Sequence, residues 1–238
     1  MLKKRIKKNV PYETKGVNPD RQVPFAIVEA YKTIRTNLMF MMSQSNKKQI
    51  AISSSLAGEG KSTTAVNIAI AFSQLGCKVL LIDADLRRPS VHKKLKLPNT
   101  KGLSSVLINL AEADECLNNI NPNLDIMTSG PIPPNPMELL SSARMSEMLD
   151  ALQDKYEYIL IDTPPINIVS DALVLAPKTN GIVMVVKDQL STHDELRKSI
   201  SAIEFANVKL LGIVLNGSSR REATLQKYRY NRYKYTYK

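Results

Sequence analysis

Residues 53–63 read SSSLAGEGKST. They follow a short apolar run and open a stretch of helical periodicity. Gly60, Lys61 and Ser62 fit the end of G-x-x-x-x-G-K-[ST], the phosphate-binding loop pattern, and Ser55 stands where that pattern has its first glycine. Gly58 and Gly60 let backbone N–H groups turn inward around a phosphate without a Cβ in the way. In such a loop the lysine reaches the β- and γ-phosphates and the serine hydroxyl ligates Mg²⁺. A helix beginning near Lys61 adds the positive end of its dipole. The candidate nucleotide cradle is therefore Gly58, Glu59, Gly60, Lys61, Ser62 and Thr63.

Two other segments place carboxylates where a metal would sit. LLIDADLRRP (80–89) puts Asp83 and Asp85 just past an apolar run, and ILIDTPP (159–165) puts Asp162 past another. A carboxylate at a buried strand's exit is costly unless it meets a cation, and Mg²⁺ beside a nucleotide supplies one. Helix capping is the ordinary alternative for each aspartate alone. Three of them beside a phosphate loop favour a shared metal site, with Ser62, Asp83, Asp85 and Asp162 as its ligand set. Arg87, two residues beyond Asp85, is a candidate for stabilising transferred charge. The absence of an N-K-x-D motif points to adenine over guanine. Asn216, in GIVLNG, is either a purine-edge ligand or a turn residue before Gly217.

The elements that must position these residues alternate. Strands are expected at 49–54, 78–83, 124–129, 156–162, 181–186 and 208–216. Helical patterns occupy 25–42, 61–75, 103–118, 136–154, 169–176 and 191–206. Near-continuous apolar strands separated by helices make an α/β fold: a parallel, doubly wound sheet with helices on both faces, of the P-loop NTPase kind. Such sheets bind ligands at the carboxyl ends of their strands, where the residues named above fall. Four prolines in 129–142 predict an extended loop leading into a helix.

Charge divides the 238 residues into three parts. The formal net charge is +11. Residues 1–10 hold five cations and no anion, and residues 220–238 hold seven cations and one anion. The remaining 11–219 balance at 21 against 21. We divide the chain into a basic extension (1–24), one domain (25–219) and a basic tail (220–238). No apolar run approaches the roughly 20 residues of a membrane span. The two cysteines, Cys77 and Cys116, form no disulfide framework. A cytoplasmic protein is expected. The tail ends YRYNRYKYTYK and holds five of the nine tyrosines: Tyr228, Tyr230, Tyr233, Tyr235 and Tyr237.

With these motifs in place, the chain resembles the bacterial P-loop protein-tyrosine kinases that regulate capsule and exopolysaccharide synthesis. The likeness covers nearly the whole chain. It rests on SSSLAGEGKST, LLIDADLRRP, ILIDTPP and the tyrosine-rich end. It implies ATP and Mg²⁺ as cofactors, autophosphorylation of the five tail tyrosines, and phosphorylation of other proteins. Lys61, Asp83, Asp85 and Arg87 become the catalytic set, with Asp83 or Asp85 as the base and Asp83 preferred. It also implies a homo-oligomer, ring-shaped when unphosphorylated, through a helix motif that here reads Glu29, Lys32 and Arg35. Lysine at 32 replaces that motif's first arginine and lacks its bidentate fork. The split Gram-positive form of the family is switched on by a separate transmembrane activator of the chain-length-determinant type, which would recruit the chain to the inner face of the membrane. Two other readings compete. A partition or positioning ATPase carries a lysine five residues before the loop lysine, where this chain has Leu56. A nucleic-acid binder could use the aromatic, basic tail, but leaves the three aspartates without a role, so no specific nucleic acid is expected.

Overall fold

The computed structural model describes residues 24–45 and 48–217. Its centre is a seven-stranded sheet: β1 (Gln49–Ser54), β2 (Val79–Asp83), β3 (Leu117–Asn121), β4 (Leu124–Met127), β5 (Tyr158–Asp162), β6 (Ile182–Lys187) and β7 (Leu210–Asn216). The order is β3-β4-β2-β5-β1-β6-β7. All pairs are parallel except β3 with β4. The strands β2, β5 and β1 are adjacent and central, so the segments leaving their carboxyl ends meet. Register makes the meeting specific: Asp83 lies directly opposite Asp162, and Ile52 opposite Asp162 on the other side.

Successive residues of a strand face opposite ways, and the core is divided accordingly. Ile50, Ile52, Leu81, Leu160 and Val183 face the side covered by α1 (Phe25–Met41), α2 (Lys61–Ser73) and α3 (Val91–Leu95). Leu80, Ile82, Ile159 and Ile161 face α4 (Leu103–Leu107), α5 (Pro136–Ser141) and α6 (Ala143–Gln153). Ala51, Ile182 and Met184 face α7 (Asp171–Leu175) and α8 (His193–Phe205). Burying each large aliphatic side chain contributes about 1.5–3 kcal/mol, which holds the strand ends in a fixed frame.

Two local expectations are corrected, and one helix is added. The pattern at 103–118 is not one helix. Asn109 takes φ 58°, a left-handed conformation that stops α4, and the chain then makes a 3₁₀ turn and the edge strand β3. The pattern at 136–154 is two helices. Ser142 is extended (φ −59°, ψ 158°) and its hydroxyl accepts the Met145 N–H at 3.3 Å, so it starts α6. The short helix α3, which LRRPSVHKK did not announce, is fixed by an aspartate described below. Both cysteines are free and buried. Among the described residues no helix is long and apolar enough to cross a membrane. The basic extension up to residue 23, and the tail with its five tyrosines, lie outside the described residues.

Candidate active site

The segment between β1 and α2 forms the loop expected of it. Gly58 (φ 86°) and Gly60 (φ 92°) both take left-handed conformations, which a side chain would strain. Ser55, at the first glycine position of the pattern, does not have a positive φ, so glycine is not required there. Its hydroxyl accepts a 2.9 Å hydrogen bond from Ser199 of α8.

Glu59 turns its side chain away from the phosphate side. It is fully buried. Its carboxylate accepts the N–H of Leu56 at 2.6 Å, the N–H of Lys187 at 3.4 Å and the hydroxyl of Ser191. Its own carbonyl accepts a 2.9 Å hydrogen bond from Asn216 Nδ2. Glu59 therefore ties the loop to the segment between β6 and α8, and Asn216 supports the loop from behind. A Cβ on Gly60 would stand 2.2 Å from Asn216 Nδ2. Asn216 does not line the cavity at this site, and neither does Glu59.

That cavity has a volume of about 690 Å³. Gly58, Gly60, Lys61, Ser62 and Thr63 form one wall, Asp85, Arg87, Arg88, Ser90 and Lys94 another, and Pro164, Pro165, Ile168 and Val169 a third. Lys61 joins the first two walls. Its Nζ lies 2.8 Å from Asp85 Oδ2, 3.5 Å from Asp162 Oδ1 and 3.3 Å from Ser62 Oγ. Burial works against the Lys61 charge, but Asp162 and Asp85 outweigh it and raise its pKa.

The three expected aspartates take three different positions. Asp85 faces the cavity, and its other oxygen accepts the Arg88 N–H at 3.0 Å. Asp83 is fully buried; its Oδ2 accepts the N–H groups of Ser90 (3.1 Å) and Val91 (3.0 Å) at the start of α3, and Oδ1 accepts that of Asp85 (3.3 Å). Burial and the facing Asp162 carboxylate push Asp83 up to about 7. Asp162 is fully buried, and its one close charged partner is the Lys61 ammonium at 3.5 Å, too long for a good hydrogen bond. Burial raises its pKa, with Lys61 opposing. Among the described residues no three His, Cys, Asp or Glu side chains stand together as a metal cage. The expected four-residue ligand set is thus not assembled around one point, because Asp83 is committed to α3. Mg²⁺ usually keeps several waters and takes one or two carboxylates plus substrate phosphates. Buried Asp162, paired only at 3.5 Å with Lys61 and lying beside Ser62, fits that mode.

Arg87 is neither free nor simply solvated. Its Nε and Nη2 bind the two oxygens of buried Asp171, at 2.8 and 3.0 Å. Asp171, Ser191 and Ser199 were not singled out in the sequence, and no spacing signal marks them. Charge is the sequence signal that marks this wall: residues 86–111 contain six cations and no anion. Of the expected oligomer motif, Lys32 pairs with Glu29 at 2.7 Å, and Arg35 donates to the Ala71 carbonyl in α2 at 2.9 Å.

A glycine-turned loop at the end of a central parallel strand, a lysine on the first residue of the helix that follows and a buried aspartate facing that lysine from the neighbouring strand define a P-loop nucleotide-binding fold. Comparison with known proteins agrees. The family described as AAA domain matches residues 47–210. The septum site-determining protein MinD of Pyrococcus horikoshii, solved with Mg-ADP, has the same fold at TM-score 0.61 and 25% identity, covering 73% of this chain and 72% of that one. Similarity to kinases is greater. The tyrosine-protein kinase YwqD of Bacillus subtilis is 45% identical over 190 residues, covering 79% of this chain and 80% of the relative. The kinase domain of the Escherichia coli tyrosine kinase ETK superposes with TM-score 0.80 at 32% identity, covering 92% of this chain and 86% of that one. The chain belongs to the bacterial tyrosine-protein kinases and is an enzyme of that class.

Proposed function

We propose that the chain transfers the γ-phosphoryl group of ATP to tyrosines, first those of its own tail, and that it does so in the service of capsular or exopolysaccharide synthesis under a membrane-bound activator. The observation that carries the chemical part is the convergence of Lys61, Ser62 and Asp85 on one cavity wide enough for a nucleotide and an incoming phenol. Leu56 at the position of the positioning ATPases' extra lysine, and the five tail tyrosines, favour this reading over that one.

The inward N–H groups of Gly58–Thr63 and the Lys61 ammonium bind and orient the phosphates. Ser62, with Asp162 through water, would hold Mg²⁺, which would supply positive charge to offset the negative charge developing on the phosphate oxygens. The tyrosine oxygen attacks the γ-phosphorus, the bond from that phosphorus to the β–γ bridging oxygen breaks, and ADP leaves. The phenol, with a pKa near 10, gives up its proton to Asp85, the carboxylate that faces the cavity. Asp83 serves as the positioning residue that holds α3 and, through the Asp85 N–H, the Asp85 backbone. That reverses the preference drawn from sequence. Pairing of Arg87 with Asp171 leaves it at the cavity wall as an orienting cation.

Radiolabelled γ-ATP and Mg²⁺ test the reading, with and without the activator's cytoplasmic segment, beside Lys61→Met and a chain ending at Ser219. Label on residues 228–237 that is lost in both variants is the expected result. ATP hydrolysis without tyrosine label in either condition would favour the positioning ATPase.

A further inference from the structure

We propose that Arg88 and Lys94 form an anion subsite at the mouth of the cavity. It takes a negatively charged group that the peptide carries beside the tyrosine being phosphorylated. The inference rests on the kinase reading above and adds a substrate preference to it.

Four observations carry it. Both side chains line the cavity, on the wall that also presents Asp85. Both residues are exposed, whereas the Lys61 side chain is only 12% exposed; the phosphate lysine is deep and this pair lies at the rim. Neither side chain has an ion-pair or hydrogen-bond partner among the described residues, in contrast to Arg87, which Asp171 holds with two bonds. No acid occurs anywhere in 86–111 to neutralise them locally. Their backbone, meanwhile, is fixed by the site itself. The Arg88 N–H is held by Asp85 Oδ1, and the first turn of α3, which carries Lys94, is held by Asp83 Oδ2. Two cations on an anchored frame, facing a reaction space and lacking a counter-ion, form a receptor for an anion.

The anion is not supplied by the unmodified tail, whose residues 220–238 sum to +6. A phosphotyrosine made in an earlier turn supplies it, and so does an aspartate or glutamate of another substrate. In the tail the tyrosines are two or three residues apart. In an extended chain that spacing places a new phosphate about 7–10 Å along from the next acceptor. On this view the first phosphorylation of the tail is the slow one and later ones are favoured, until the tail is saturated.

The test uses the full chain and three peptides of the sequence 228–238 with position 235 occupied by Phe, by Glu or by phosphotyrosine. Initial rates of phosphorylation at the remaining tyrosines give kcat/KM for each peptide. The phosphotyrosine peptide should exceed the Phe peptide by about tenfold, the factor expected of one added charge-assisted hydrogen bond. The ratio should fall to near one in an Arg88→Ala/Lys94→Ala variant, each protein being normalised to its own rate on the Phe peptide. A Glu peptide that matches the phosphotyrosine peptide would point to acidic protein substrates as the natural source; one that matches Phe would point to the tail. Equal rates on all three peptides, or a preference that survives in the double variant, would overturn the subsite and leave the kinase reading standing. ATP hydrolysis with no label on any peptide would sink both.

Discussion

Replacing Gly60 by alanine tests whether Asn216 buttresses the loop or reads the base. Gly60 sits at φ 92°, ψ 16°, where an L-residue pays about 1–2 kcal/mol. The new methyl would also lie 2.2 Å from Asn216 Nδ2. Asn216 must then move, which forfeits its hydrogen bond to the Glu59 carbonyl, about 1 kcal/mol, and adds overpacking of about 1–3 kcal/mol. Gly60→Ala should therefore destabilise by about 3–6 kcal/mol in denaturant unfolding. In an Asn216→Ala background only the backbone strain remains, about 1–2 kcal/mol, so the cycle should show a coupling of about 2 kcal/mol or more. Additive effects would refute the contact. The same single variant, Asn216→Ala, separates its two possible roles. A buttress acts through the loop's grip on phosphates, so ATP and GTP affinities should fall by the same factor. Loss confined to ATP would restore the purine-reading role.

Ser55→Gly, which completes the sequence pattern, should lower stability by about 1–2 kcal/mol, from the lost Ser199 hydrogen bond and added chain entropy, and should not tighten nucleotide binding by titration. Arg87→Ala leaves the Asp171 carboxylate buried without its partner. Because the arginine is 42% exposed, water offsets part of the loss, and a drop of about 1–2 kcal/mol in thermal unfolding is expected. Asp83 in the folded chain is raised from 3.8 to about 7, so the folded state holds its proton more tightly than the unfolded state. Its contribution is fully present below about pH 4 and is lost as pH rises to about 7. That loss amounts to about 4 kcal/mol, from the 1.36 kcal/mol per pH unit of linkage. Urea titrations across that range in the absence of Mg²⁺ should show the decline, and Asp83→Asn should flatten it.

The central strands β2, β5 and β6 were readable because each is a near-continuous apolar run buried along almost its whole length, a pattern that survives without any tertiary knowledge. β3 was not, because Asn118, Asn119 and Asn121 fill an edge strand that only β4 covers. Helix ends at Asn109 and Ser142 were missed for a related reason. Each is one residue whose backbone, not its polarity, breaks the pattern. At the site, the loop and the aspartates were visible as residue types, but their division of labour was not. Asp83, Asp85 and Asp162 read alike in a strand-end motif. They are separated only by which backbone N–H groups happen to fold back on them. Asp171 and Ser191 reach the site from 84 and 132 residues away from their partners Arg87 and Glu59, and no local pattern can announce such a pairing.

The 157-residue separation of Asn216 from Glu59 matters for the order in which the molecule is made. The loop that holds phosphate is synthesised long before its support, because Asn216 closes β7, the last strand among the described residues. A nascent chain that stops short of β7 has the loop's sequence without its backing. Nucleotide stabilises only the state that binds it, so ATP cannot favour the partly built domain over its unfolded form. It rewards the chain once β7 has docked, so nucleotide binding reports that docking.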